Sequence, residues 1–171
     1  MRITFERMAD RRPVETLVER DDGVVFLMRG AGGGADLPHD LVHALVEQSL
    51  RVTEGIWGCV ADGVVWGSMR HVSGRQPPHA ADRSARLKKE RAARIQAAEQ
   101  LADLVGRLAR GDEVLPGETS SAGHTQNALS AATAELASAT SRWAALAPGD
   151  TWAVDWHAPA RNDGRPRRRG R

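Results

Sequence analysis

The chain has 171 residues, room for one ordinary domain, with 41% hydrophobic and 27% charged residues, a globular balance. Its net charge of +2 hides an asymmetry: residues 161–171 hold six arginines against one aspartate, a net of +5, which leaves residues 1–160 at −3. A high pI produced by a tail is not the mark of a folded basic domain, no apolar run approaches the ~20 residues of a membrane span, and one cysteine, Cys59, permits no internal disulfide or multi-cysteine zinc module. The N-terminus carries charge where a secretory leader needs an apolar stretch, so a reduced cytoplasm is the expected location.

The first thirty residues read as strands. Ile3 and Phe5 alternate with Arg2, Thr4 and Glu6, a half-buried period of two. Val14–Glu19 and Val24–Met28 flank Asp22-Gly23, a hairpin signal of the type I′ kind. The glycine-rich stretch 30–35 lacks both the Gly-Lys-Ser/Thr ending of a P-loop and the spaced third glycine of a dinucleotide site, so it reads as a linker.

A helix is expected from Leu37-Pro38 to about Val52, with Pro38 at the first helical position and Asp40 in the first turn. Leu41, Val42, Leu45, Val46 and Ser49 share one face, which should pack on the sheet. Residues 56–69 fit two readings. A short helix Ile56–Ala61 ended by Gly63 is preferred over a second hairpin turning at Asp62-Gly63. Residues 71–80 read as a linker.

A long helix over 82–110 and a second over about 125–146 carry apolar residues at threes and fours, joined by a loop over 112–123. Their narrow apolar stripe predicts an antiparallel hairpin that needs a further surface to pack on. Trp152, Val154 and Trp156 then alternate, as in a strand returning to the N-terminal sheet. The expectation is an α+β fold: an antiparallel sheet of about four strands, one packed helix, and a helical hairpin (about 82–147) inserted into a single domain over 1–160. A disordered basic tail is expected over 161–171.

The chemistry-bearing segment is His39-Asp40-Leu41-Val42-His43. Histidines at i and i+4 lie one helical turn apart and can reach one metal ion, the spacing of His-Glu-x-x-His with aspartate in place of glutamate. Glu47, a further turn on, is the candidate third ligand, and Asp40 the group that would poise a water. The cofactor this implies is a divalent transition metal. The same residues also read as ordinary i,i+3 and i,i+4 helix pairs with no chemistry. His71, His79, His124 and His157 are further histidines from which a ligand could come.

The segment Leu37-Pro38-His39-Asp40-Leu41-Val42-His43, with Glu47 and then Gly55-Ile56-Trp57-Gly58, resembles a group of small proteins of high-GC Gram-positive bacteria. That group carries no activity to transfer, so the resemblance implies no chemistry.

Cys59 fits a buried structural thiol better than a nucleophile. Arg165, Arg167, Arg168, Arg169 and Arg171 can neutralise phosphates, so nucleic-acid contact is expected through the tail only. No complete catalytic set is visible. The leading expectation is therefore a non-enzymatic cytoplasmic interaction or regulatory protein, self-associating or binding a protein partner through the helical hairpin. Metal binding, with metal-dependent hydrolysis as its extension, is the alternative.

Overall fold

A computed structural model describes residues 1–9, 12–30 and 34–157. Three strands come first: β1 (Arg2–Glu6), β2 (Val14–Glu19) and β3 (Val25–Gly30). Helices α1 (His39–Ser49) and α2 (Ile56–Ala61) lead to β4 (Met69–Ser73). The chain continues through α3 (Ala80–Glu90), α4 (Ala92–Arg110), α5 (Pro116–Ser121), α6 (Gln126–Ala144) and β5 (Thr151–Asp155). The fold is α+β. Among the described residues its sheet has five antiparallel strands rather than four, in the order β4-β3-β2-β1-β5.

Alternation aligns the inner face. Ile3 sits opposite Val18 and Val154, and Phe5 opposite Thr16 and Trp152, so these side chains share one side of the sheet. They join a single buried cluster with Phe26, Met28, Leu41, Trp57, Leu101, Val105, Leu136 and Trp143, which ties the sheet to α1, α4 and α6. The returning strand docks on β1, as its three alternating apolar residues require, and Trp152, Val154 and Trp156 are all buried.

The β2–β3 hairpin forms through a different turn from the one its Asp-Gly pair suggested. Gly23 donates to the Arg20 carbonyl at 2.9 Å and Gly23 alone there has positive φ (79°), so the turn is type I with glycine in the left-handed bulge position.

The fifth strand, β4, falls where the sequence reads as ambiguous chain and linker. It is an edge strand with only Met69 buried, and a bulge interrupts its pairing between Val25 and Phe26, so no period of two is left to read. The short-helix reading holds for 56–61, and Asp62 caps it. The first helix starts one residue later and ends earlier than expected: Pro38 is its N-cap, accepting from Leu41 and Val42, and Leu50 closes it. The long helix over 82–110 is two helices, broken at Arg91, whose side chain turns inward to Asp62 at 2.7 Å and Glu54 at 3.5 Å. The loop over 112–123 contains α5.

α4 and α6 pack on one another, and both pack on α1. The surface the narrow hairpin seam required is supplied by this chain. It also means that α1 is covered on more than its sheet-facing side, and its buried residues include His43 and Glu47. Residues 161–171, with Arg165, Arg167, Arg168, Arg169 and Arg171, lie outside the described residues. Among the described residues no helix is long and apolar enough to cross a membrane.

Candidate metal centre

His39 and His43 project from the first two turns of α1 with ring centroids 4.7 Å apart, near edge-to-face at 68°. The Glu99 carboxylate reaches them from α4. Its Oε2 lies 3.0 Å from His43 Nε2 and 3.7 Å from His39 Nε2. The three ligand atoms all fall within 4.8 Å of one another. Zinc–ligand bonds of about 2.0–2.1 Å place the corners of a tetrahedron roughly 3.3–3.5 Å apart, so the two measured pairs bracket that spacing. His43 is buried; the His39 and Glu99 side chains are 55% and 46% exposed, which leaves the outer side of the cluster open to water.

The other nitrogen of His43, Nδ1, faces Glu47 Oε1 at 3.4 Å, longer than a standard hydrogen bond. Nδ1 is buried and has no closer partner among the described residues. Glu47 is itself buried, and its carboxylate is occupied elsewhere. Oε1 accepts from the Ile56 backbone N–H at 2.7 Å, and Oε2 from Trp57 at 3.0 Å and Gly58 at 3.4 Å. These are the free donors at the start of α2, which has no cap side chain of its own. The sequence pattern suggested Glu47 as third ligand. The structure puts it behind His43 instead, facing Nδ1, and brings Glu99 to the front. A carboxylate on the far nitrogen of a metal-ligating histidine is the usual outer-shell arrangement.

Gly55 is what lets the carboxylate in: a Cβ there would lie 2.5 Å from Glu47 Cδ and 2.7–2.8 Å from both oxygens. Trp57 then closes the segment, donating from Nε1 to the Asp40 carbonyl at 2.9 Å and packing edge-on against Phe5.

Two electrostatic shifts mark the site. Burial works against charge on His43, but the Glu47 and Glu99 carboxylates on its two nitrogens outweigh it and raise its pKa. Burial raises the pKa of Asp40; His39 and His43 oppose that rise and Glu99 adds to it. The Asp40 carboxyl lies against β3, where its Oδ2 occupies the space a Cβ on Gly30 would need. It is not one of the three clustered groups.

The other histidines are placed elsewhere. His71 packs on Phe26 and bonds the Gly74 carbonyl at 2.9 Å, and His79 pairs with Asp82 at 3.7 Å. Among the described residues neither these nor His124 and His157 join the cluster. Glu99 carried no sequence signal: it sits in Ala-Ala-Glu-Gln-Leu, an ordinary solvated helical pattern, and meets His43 across 56 positions. Cys59 is buried, and burial raises its thiol pKa even though Arg91 Nη1 lies 4.0 Å from its sulfur, an inert setting. No protein-family model, curated protein or solved structure matches this chain.

Proposed function

We propose that this is a metal-binding protein in which His39, His43 and Glu99 hold one divalent transition-metal ion, zinc being the best fit to two imidazoles and a carboxylate. The observation that carries the reading is the convergence of three ligand atoms within 4.8 Å from two helices, one of them on a buried ring backed by Glu47. Three protein ligands and one open side are the pattern of sites that keep a water on the ion, and such an ion supplies Lewis-acid chemistry. Metal binding is the proposal, and hydrolysis is the reaction class such a site permits. A single buried cysteine suits a reducing, cytoplasmic setting.

The test is metal analysis of the full chain produced without a histidine tag, followed by zinc titration of the stripped protein. About one equivalent should bind, and zinc at roughly 100-fold over its Kd should raise Tm by about 5–10 °C. His39→Ala and Glu99→Ala should each weaken binding by more than the roughly 10–100-fold typical of an outer-shell change. Metal content at background, with no zinc-dependent change in Tm, refutes the reading.

A further inference from the structure

A cleft of about 700 Å³ opens between the turn after α1, one face of α4 and the α5–α6 connection. That size lies within the roughly 300–1,000 Å³ range of small-molecule sites. None of His39, His43 and Glu99 lines it, so the cleft is independent of the metal centre. Ala98, Leu101 and Leu104, all buried aliphatic residues of α4, contribute an apolar wall.

Three arginines and three acids line the cleft, but they are unevenly paired. Each acid already meets an arginine. Glu54 is held by Arg91 and Arg94, and Arg107 holds both Asp103, at 3.0 Å, and Glu118. Of the three arginines in the lining, Arg51 alone makes no ion pair among the described residues, because Arg107 serves two acids.

Arg51 is also where backbone chemistry would least expect it. It sits just past the end of α1 at φ 56°, in the left-handed region, with Val52 N–H bonded to the Glu47 carbonyl at 2.8 Å. This is the helix-ending position that glycine fills at the lowest backbone cost. An arginine there strains the backbone without contributing an ion pair to the fold, and strain of this kind concentrates at functional sites.

We propose that the cleft binds a small amphipathic monoanion: a free carboxylate whose charged end pairs with Arg51 and whose apolar ring or short chain lies on the α4 wall. A guanidinium fork matches a carboxylate through two parallel hydrogen bonds. A guanidinium with no ion pair among the described residues offers its fork to an anionic group, and the aliphatic wall calls for an apolar body.

The test is an NMR titration of the full chain with benzoate, hydrocinnamate and octanoate, each against its neutral amide, with inorganic phosphate as an anion lacking an apolar part. At least one carboxylate should bind about tenfold or more tighter than its amide and than phosphate. Arg51→Gly should remove that preference while leaving Tm unchanged or higher, and Arg51→Lys, which keeps the charge, should retain part of it. The proposal is overturned if no carboxylate binds, if amides or phosphate bind as tightly, if Arg51→Gly keeps the preference, or if Arg51→Gly lowers Tm.

Discussion

Replacing Glu47 with alanine tests the buried centre of the molecule. The carboxylate accepts from three backbone N–H groups at the start of α2, two of them at 2.7 and 3.0 Å and a third at 3.4 Å, and faces His43 Nδ1. Alanine leaves those donors buried without an acceptor. An orphaned buried donor costs about 1–3 kcal/mol. Counting the two short bonds fully and the long one weakly, Glu47→Ala should cost about 3–5 kcal/mol, a large share of the roughly 5–15 kcal/mol that holds a domain folded. For a chain of this length that is a fall in Tm of about 6–20 °C. Glu47→Gln retains one acceptor oxygen but turns an NH₂ group toward a backbone N–H, so about 1–3 kcal/mol is expected. Urea unfolding followed by tryptophan fluorescence measures both, and Trp57, whose own N–H is one of the three donors, reports the local change. A Glu47→Ala protein within about 1 kcal/mol of the parent would refute the assignment of Glu47 as the cap of α2.

Gly55→Ala pushes a Cβ to within 2.5–2.8 Å of the Glu47 carboxylate, which three hydrogen bonds hold in place, so about 1–3 kcal/mol of overpacking is expected. Gly67→Ala is the control: nothing lies within 4 Å of its Cβ, and calorimetry should show no loss of stability. In metal-stripped protein the stability should also depend on pH in a set direction. The His43 pKa is raised on folding, because Glu47 and Glu99 outweigh its burial. Its contribution is therefore fully present below the ordinary histidine value of about 6.5 and is lost as pH rises through the higher folded value. Denaturant midpoints measured between about pH 5 and 9 should fall across that window in the parent and flatten in His43→Gln, and a parent midpoint that rises there contradicts the assignment.

Much of the fold is legible because its strands obey a period of two and its helices a period near four. β1, β2, β3 and β5 each bury one face, so alternation marks them. β4 is missed because an edge strand with one buried residue has no alternation to show. The break at Arg91 is missed for a different reason: the helical pattern runs through it, and only the buried pairing with Asp62 and Glu54 marks the bend. His39 and His43 are legible because i,i+4 spacing is a local property. Glu99 is not, because its place beside them depends on α4 packing across α1. Glu47 is legible as a residue but its role is not, since nothing local says that the chain nine to eleven residues later will return three N–H groups to it.

The segment from Leu37 to Gly58 closes on itself, and most of it is explained by that closure. Pro38 caps α1, the Asp40 carbonyl receives the Trp57 indole, and Glu47 receives the start of α2. Gly55 makes room for the carboxylate, and Gly58 approaches the Thr53 carbonyl so closely that a Cβ would overlap it. His43 fills buried space between Glu47 and α4. His39 is the exception. It is more than half exposed, and its side chain meets the His43 ring and the Glu99 carboxylate. Glu99 likewise is nearly half exposed and touches the two histidines. An exposed histidine–carboxylate pair contributes little to stability. His39→Ala should therefore leave the stripped protein within about 0.5 kcal/mol of the parent, whereas Glu99→Ala takes the partner from the buried His43 Nε2 and should cost about 1–3 kcal/mol. A zinc-induced rise in Tm that disappears in both variants would then report the metal centre, while a large loss of stability in stripped His39→Ala would show the cluster to be part of the fold instead.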